Sequence, residues 1–308
     1  MIVSASRRTD IPAFYSEWFF NRIEEGYALV RSPFNPHQLS RISLLPEDAE
    51  CIVFWSKNPG PMLHKLHKLN KYRYYFQYTL NGYENDIEPG VPGLEERIKN
   101  FITLSEMIGK ERTIWRYDPI LINEKYTARW HMERFACLAE RLGPYTDQCV
   151  ISFVDIYDKI KKNMRAFGVG EIDAPAKLLI AESLLKTAGI HHISLQTCAE
   201  NVDLPGIVHG SCIDEKLVSN LLGCPVNTVK DKNQRPECRC VQSVDIGAYN
   251  TCLNGCAYCY ANLGQNTVVS NFKNSSPNSP VLYGDITELD KITERKMPSI
   301  QVPQTAFF

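Results

Sequence analysis

The chain has 308 residues, of which 44% are hydrophobic and 22% are charged, and its formal net charge is -1. This balance is typical of a folded globular protein and excludes a disordered, collagen-like or membrane-embedded chain. The near-zero charge gives no sign of general electrostatic attachment to nucleic acid.

The N-terminus and the cysteine usage indicate the cellular compartment. The opening sequence MIVSASRRTD has no basic segment followed by a long apolar stretch, and no apolar run approaches the roughly 20 residues of a spanning helix. We therefore expect a cytoplasmic protein with no membrane partner. Eleven cysteines without a secretory signal favour metal binding or redox chemistry over a disulfide framework.

Eight short runs rich in β-branched and aromatic residues are typical of strands. In chain order they are IVSAS, ALVRS, CIVFWS, YRYYFQYTL, TIWRY, CVISFV, HISLQT and QSVDIGAY. Amphipathic segments between them are typical of helices, namely PAFYSEWFFNRIEEG, GLEERIKNFITLSEMIGK, RWHMERFACLAERLG and APAKLLIAESLLKTAGI. This alternation predicts an α/β fold of parallel strands joined by helices.

The number of strands predicts the architecture. Eight strand and helix units over about 260 residues match the size of a (β/α)8 barrel, and no repeat or Gly/Ser linker divides the chain. We predict a single TIM-type barrel over residues 1–263, with a cysteine-rich cluster-binding segment at 198–260. Residues 264–308, rich in Asn, Ser and Pro, are predicted to form an extended C-terminal tail. An open doubly wound sheet is the alternative, because periodicity does not give strand order.

Polar residues follow several predicted strands, at the end where α/β barrels carry their active sites. After the first strand these residues are Ser6, Arg7, Arg8, Thr9 and Asp10. After later strands the candidates for catalysis are Lys57, Arg116 and Asp118. Structural roles stay open for each: Arg116 with Asp118, or Arg8 with Asp10, could be an ion pair that holds a loop. Thr9 or Asp10 could equally cap the following helix.

Three cysteines near the C-terminus, Cys252, Cys256 and Cys259, have the spacing CxxxCxxC. This spacing places three thiols on one short loop, and a closed zinc site would need a fourth protein ligand. The open position is typical of a catalytic metal site. The alternative is a structural zinc site that Cys238 or Cys240 completes.

A second set of cysteines lies at a predicted strand end and in loops, and comprises Cys198, Cys212, Cys238 and Cys240. Four thiolates can hold a closed second 4Fe-4S cluster. A structural zinc ion in the same four-sulfur cage is the alternative. Cys224 could replace one of the four.

The sequence CLNGCAYC resembles the CxxxCxφC signature of the radical S-adenosylmethionine (SAM) superfamily, in which φ is aromatic, and CAYCY is similar to spore photoproduct lyases. This resemblance implies a 4Fe-4S cluster on Cys252, Cys256 and Cys259, with SAM on its fourth iron and reductive cleavage to a 5'-deoxyadenosyl radical. It further implies that Tyr258 approaches the adenine and that a reductant such as flavodoxin or ferredoxin supplies electrons.

The motif lies at an unusual position for that superfamily, since it follows the last predicted strand rather than the first. The last strand of a closed barrel lies beside its first, so the resemblance implies a circularly permuted radical SAM barrel. The first strand lacks the glycine-rich GGE segment that often contacts SAM in the superfamily. Ser6, Thr9 and Asp10 would then offer polar contacts to SAM, and Arg7 or Arg8 would meet its carboxylate.

Nearly the whole chain resembles an uncharacterised bacterial family, a domain of unknown function, through SRRTDIPAF and CRCVQSVDIGAYNTCLNGCAYCYA. The leading prediction is a radical SAM enzyme acting on an unknown substrate. Two alternatives stand beside it: a barrel with structural zinc and hydrolase or lyase chemistry at Asp10, Lys57 and Asp118, and a non-catalytic iron-sulfur redox sensor. Nucleic acid is a weaker candidate substrate, favoured by the likeness to photoproduct lyases and opposed by the neutral charge.

Overall fold

Two sheets and nine helices organise residues 1–302, which are the residues that the computed structural model describes. The strands are β1 (Ile2–Ala5), β2 (Tyr27–Arg31), β3 (Gln38–Ser43), β4 (Cys51–Ser56), β5 (Tyr74–Thr79), β6 (Thr113–Ile120), β7 (Gln148–Phe153), β8 (Ser194–Cys198), β9 (Val208–Gly210), β10 (Val244–Asp245) and β11 (Lys291–Glu294). The helices are α1 (Ile11–Phe14), α2 (Ser16–Glu25), α3 (Gly60–Leu63), α4 (Leu94–Ile108), α5 (Ala128–Leu142), α6 (Asp158–Ala166), α7 (Ala174–Ile190), α8 (Glu215–Leu222) and α9 (Gln265–Lys273).

Eight strands form one sheet in the order β10-β1-β4-β5-β6-β7-β8-β9, and every neighbouring pair is parallel. The edge strands β9 and β10 are not paired with each other among the described residues, so the sheet is open. The prediction of a closed (β/α)8 TIM-type barrel, including its circularly permuted radical SAM form, is therefore wrong. The strand before the cysteine motif nevertheless lies beside the first strand, with Val3 opposite Val244.

The two faces of this sheet are buried in different ways, and this difference explains the open edge. Along β4, Ile52 and Phe54 belong to a large apolar core that includes residues of α2, α4, α5 and α7. The alternate residues Cys51 and Val53 belong to a second core, formed with α8 and the loop segment 223–241. Because a helix and a loop segment cover this second face, the sheet does not need to close on itself to bury it.

Several predicted elements are confirmed and others change role. The four predicted helical segments overlap α2, α4, α5 and α7. The predicted strand ALVRS forms β2, which pairs with β3 in a small sheet that β11 completes. Its place in the large sheet is taken by β9, a three-residue strand of sequence VHG.

Two further predictions concern the C-terminal tail and membrane-spanning helices. Within residues 264–302, the described part of the predicted tail, lie α9 and β11; residues 303–308 lie outside the described residues. In the described part of the chain, no helix has the length and apolar character required to traverse a bilayer.

Candidate functional site

The loop that carries Cys252, Cys256 and Cys259, here called the motif loop (residues 250–262), follows β10 and is held by hydrogen bonds from several elements. The hydroxyl of Tyr15 donates to the carbonyl oxygen of Thr251 at 2.8 Å. From α9, Asn271 Nδ2 donates to the carbonyl oxygen of Asn250 at 3.0 Å. Asn262 Nδ2 donates to the carbonyl oxygen of Cys252 at 2.7 Å, so the loop also closes on itself.

The motif loop also packs directly against the backbone of residues 84–90. The N–H of Gly90 donates to the carbonyl oxygen of Asn254 at 2.9 Å, and the N–H of Ala257 donates to that of Ile87 at 2.9 Å. A Cβ atom on Gly90 would lie 2.2 Å from the carbonyl oxygen of Leu253. Only glycine therefore allows this approach between two backbones.

Asp10 connects the motif loop to the carboxyl ends of β1 and β4. Its carboxylate accepts the N–H of Ala13 at 3.1 Å, which confirms its alternative role as a helix cap. It also accepts the Ser56 hydroxyl at 2.7 Å, the Lys57 N–H at 2.8 Å and Asn254 Nδ2 at 3.1 Å. Burial raises the pKa of Asp10 in spite of these hydrogen bonds, and the carboxyl acts as a structural hub.

Glu88 lies at the centre of a buried charged network beside the motif loop. Its carboxylate accepts Lys57 Nζ at 2.8 Å and Arg97 Nη1 at 3.2 Å, and it also accepts the Tyr258 hydroxyl. Burial alone would raise the pKa of Glu88, but Lys57 and Arg97 outweigh it and lower that pKa. Sequence reasoning missed Glu88 and Arg97, for which the only signal was a charge in a Pro-Gly loop and another on an amphipathic helix.

Among the three motif cysteines, Cys252 is buried and the other two are partly exposed. The Lys57 ammonium lies near Cys256 and Cys259. Burial raises the pKa of Cys252 to about 12. Burial also raises the pKa of Cys256 well above its usual value, although the nearby Lys57 ammonium acts in the opposite direction. The pKa of Cys259 is raised by burial as well. These thiols would become thiolates on binding a metal, which supplies the positive charge that their surroundings lack.

The four cysteines of the second set lie together, although they come from three separate segments. The Sγ atoms of Cys198 and Cys212 are 3.1 Å apart. Cys212 is also within hydrogen-bonding range of Cys240, which in turn is within range of Cys238. We call these four residues the thiol cluster. Three of its members are no more than 7% exposed, and Cys198 is partly exposed.

Cys224, the proposed substitute ligand, is bonded elsewhere. Its thiol donates to Gln301 Oε1 at 3.5 Å, and its backbone carbonyl accepts the Ser219 hydroxyl at 2.8 Å. It does not belong to the apolar core that contains the thiol cluster. Cys224 is therefore a useful control position.

Arginine side chains lie beside the thiol cluster. Arg116 Nη1 donates to the Sγ atom of Cys212 at 2.6 Å, and Arg116 Nε donates to Asp118 Oδ2 at 3.1 Å. Asp118 also accepts the Ser152 hydroxyl. Partial burial alone would raise the pKa of this carboxyl, but Arg116 outweighs it and lowers that pKa. The predicted catalytic residues are thus divided: Lys57 lies by the motif loop, whereas Arg116 and Asp118 lie by the thiol cluster.

Three of the residues predicted to contact SAM, all from the end of the first strand, are bonded to β10 and to neighbouring loops. The Ser6 hydroxyl donates to Asp245 Oδ1 at 2.6 Å. Arg7 Nη1 donates to Asp231 Oδ2 at 3.4 Å, and Arg8 Nη1 donates to the carbonyl oxygen of Gly247 at 3.5 Å.

Several buried polar atoms in or near the motif loop have no hydrogen-bond partner among residues 1–302. They include Thr9 Oγ1, Asn254 Oδ1 and Asn262 Oδ1. Buried polar groups of this kind are uncommon and call for a ligand or solvent partner.

The arrangement of potential metal ligands is incomplete as it stands. Over the described range 1–302, no group of three or more histidine, cysteine, aspartate or glutamate side chains is arranged so that it could hold a metal ion. In the thiol cluster, the sulfurs of Cys198 and Cys212 are 3.1 Å apart. Two sulfurs on one tetrahedral zinc ion, with Zn–S bonds of about 2.3 Å, are about 3.8 Å apart.

Comparison with known proteins gives one match. The sequence profile of a family described as "Domain of unknown function (DUF1848)" matches residues 2–261. No curated protein and no solved structure matches the chain. None of these findings assigns the chain to the radical SAM superfamily. The matched span covers most of the 308 residues, and the chain therefore belongs to the DUF1848 family.

Proposed function

We propose that this protein is an iron-sulfur enzyme of the radical SAM type, in which Cys252, Cys256 and Cys259 hold a 4Fe-4S cluster. The observation that carries this proposal is the attachment of the motif loop to the carboxyl ends of β1 and β4 through Asp10. Open parallel sheets bind their ligands at the carboxyl ends of their strands.

The donor set suits such a cluster. Iron-sulfur clusters are held by cysteine thiolates, and three thiolates leave one iron of a 4Fe-4S cluster without a protein ligand. When bound with SAM, the cluster would supply a carbon-centred radical that starts chemistry on a substrate of unknown identity. The support lies in the type, spacing and surroundings of the cysteines, since the thiols do not form a ready-made metal site.

The chain's own residues would bind and orient the cofactor. The unpartnered atoms Thr9 Oγ1 and Asn254 Oδ1 are suited to the amino and carboxylate groups of an amino acid such as the methionine part of SAM. Arg8 is half-buried on the same loop and offers a guanidinium for a carboxylate. Glu88 holds the hydroxyl of Tyr258 and so determines the orientation of the aromatic ring in the motif.

Lys57 is assigned a positioning role in this site. Its ammonium group is bonded to Glu88 at 2.8 Å and lies 5.5 Å from the centre of the Tyr258 ring. Burial raises the pKa of Cys256, and the Lys57 ammonium opposes that rise. A fixed positive charge at this point favours thiolate over thiol. Arg116 and Asp118 are not assigned to this site, because they are bonded to each other beside the thiol cluster.

The test is SAM cleavage by anaerobically purified protein. With dithionite as reductant, we expect the wild-type protein to convert SAM to 5'-deoxyadenosine and methionine. The triple variant Cys252→Ala, Cys256→Ala, Cys259→Ala should form neither, and the control variant Cys224→Ala should match the wild type. The proposal would be contradicted if the wild type, the triple variant and the control variant all formed 5'-deoxyadenosine at the same background rate.

The hydrolase or lyase alternative receives less support from the contacts. Asp10 accepts four hydrogen bonds from protein groups and has little capacity left for acid-base work. Lys57 is bonded to Glu88, whereas Asp118 is bonded to Arg116. These three residues therefore do not share one acid-base site.

A further inference from the structure

We propose that Cys198, Cys212, Cys238 and Cys240 form a closed, structural site for one zinc ion, separate from the cluster on the motif loop. The four residues come from the end of β8, the loop between β9 and α8, and the loop segment 223–241. Distant segments thus bring four thiols to one point, although only two of the four are neighbours in sequence.

The sulfur spacing favours one metal ion over an iron-sulfur cluster. A single zinc ion holds its sulfurs about 3.8 Å apart, so Cys198 and Cys212 would have to separate by less than about 1 Å from their present 3.1 Å. In a 4Fe-4S cluster each cysteine binds a different iron, which places the sulfurs farther apart than on one ion. The 3.1 Å separation of Cys198 and Cys212 is therefore closer to that of the single ion.

The surroundings suit a site with excess negative charge. Four thiolates around Zn²⁺ leave a net charge of about -2, and cationic or N–H donors next to the sulfurs stabilise such sites. Arg116 donates to the sulfur of Cys212 at 2.6 Å, and the N–H of Ile213 donates to that of Cys240 at 3.4 Å. Arg7 has a buried Nη2 atom with no hydrogen-bond partner among residues 1–302. Asp118 pairs with Arg116, and Asp231 pairs with Arg7.

The site would fasten the covering segment to the open sheet. The carbonyl oxygen of Cys212 accepts Tyr75 Oη at 2.7 Å and Gln77 Nε2 at 2.9 Å, both from β5. Cys238 and Cys240 belong to the loop that covers the same face of the sheet. A zinc ion at this point joins β8, the loop before α8 and the covering loop. Its role is structural, because four protein ligands leave no position for substrate.

Zinc analysis of cysteine variants tests this assignment. We expect about one zinc per chain in the wild-type protein, as in other closed four-thiolate sites. The double variant Cys238→Ser, Cys240→Ser should lose this zinc, whereas the control Cys224→Ser should retain it. Iron that falls by about four per chain in the double variant, with no zinc in any protein, would overturn the zinc assignment in favour of a second cluster. Unchanged metal content in the double variant would overturn the site itself.

A second measurement covers the case in which the double variant does not fold. Protein produced in cobalt-supplemented medium should show the visible absorption of Co²⁺ in tetrahedral thiolate ligation, and this absorption should persist in the triple variant of the motif loop. Its absence from folded wild-type protein would refute the site. Because the triple variant removes only the motif cysteines, failure of the radical SAM proposal and failure of the zinc site are separate outcomes.

Discussion

The motif loop and the thiol cluster contain the same kind of side chain in different surroundings. The motif cysteines belong to one short loop whose neighbours include the carboxyl groups of Asp10 and Glu88. The members of the thiol cluster come from three segments and lie beside the guanidinium groups of Arg7 and Arg116. Local spacing thus brings the first set together, whereas only the fold brings the second set together.

The largest expected effect comes from the charged network beside the motif loop. Replacing Glu88 by Leu leaves Lys57 and Arg97 buried without their carboxylate, which should lower the free energy of unfolding by about 3–5 kcal/mol in urea. The control Glu84→Gln, on an exposed ion pair with Lys125, should cost less than about 1 kcal/mol. Equal effects of the two substitutions would mean that the network is not a buried unit.

The same network has a defined pH dependence. Because the pKa of Glu88 is lowered in the folded protein, its stabilising contribution is complete above the pKa of an unfolded glutamate, about 4.3. This contribution is lost as the pH falls through the lowered pKa. The stability difference between the wild type and Glu88→Leu should therefore shrink in acid, as measured by urea unfolding at pH 7 and below pH about 4. A constant difference would contradict the ionised state of Glu88.

Thiol reactivity should separate the two regions directly in metal-free protein. The hydrogen bond with Cys240 lowers the pKa of Cys238 to about 7, whereas burial raises that of Cys252 to about 12. The two side chains are similarly exposed, at 7% and 9%. At pH 8 iodoacetamide should modify Cys238 about 10- to 100-fold faster, because its larger thiolate fraction outweighs its lower nucleophilicity. Peptide mapping by mass spectrometry measures both modification rates. Equal rates would contradict the expected difference in thiol pKa between Cys238 and Cys252.

A smaller effect is expected where the motif loop meets residues 84–90. In Gly90→Ala the added Cβ atom would lie 2.2 Å from the carbonyl oxygen of Leu253, so the two backbones must separate. We expect a loss of about 1–3 kcal/mol in unfolding free energy and a lower iron content. Gly93→Ala is the matched control, because a Cβ atom there meets nothing within 4 Å. Full iron loading of Gly90→Ala would show that this contact does not determine the position of the motif loop.

The smallest effect on stability is expected at Thr9. Its buried hydroxyl has no partner among residues 1–302, so Thr9→Val should change the unfolding free energy by less than about 0.5 kcal/mol. Affinity for SAM, measured by calorimetry, should nevertheless fall about 2- to 10-fold, the value of one hydrogen bond. The comparison variant Thr251→Val loses a hydrogen bond to the carbonyl oxygen of Ala248 and should cost about 1 kcal/mol. Unchanged SAM affinity in Thr9→Val would exclude that contact.

Periodicity predicted the local elements well and the long-range arrangement poorly. The helices α4, α5 and α7 follow from apolar spacing, with caps such as Thr127 and Asp173 marking where two of them begin. Closure of the sheet depends on what covers its second face. Residues that cover it, such as Ile213 and Val241, come from two loop segments with no periodic pattern. The strand β9 is too short to give a signal.

The candidate site was partly predictable for the same reason. The motif loop and the position of Lys57 after a strand were visible in the sequence, because both depend on neighbours along the chain. Glu88 and Arg97 reach the motif loop only through the packing of the 84–90 loop and α4. Lys57 contacts Glu88 beside the motif loop, whereas Arg116 contacts Cys212 in the thiol cluster. Sequence spacing does not predict these contacts, because the partners are far apart along the chain.

The most direct test is the iron, sulfide and zinc content of anaerobically purified wild-type protein beside the triple variant Cys252→Ala, Cys256→Ala, Cys259→Ala. We predict a brown wild-type protein with about four irons, about four sulfides and about one zinc per chain, and a colourless triple variant that retains only the zinc. A colourless wild-type protein with zinc but no iron or sulfide would contradict the assignment of an iron-sulfur centre to the motif loop.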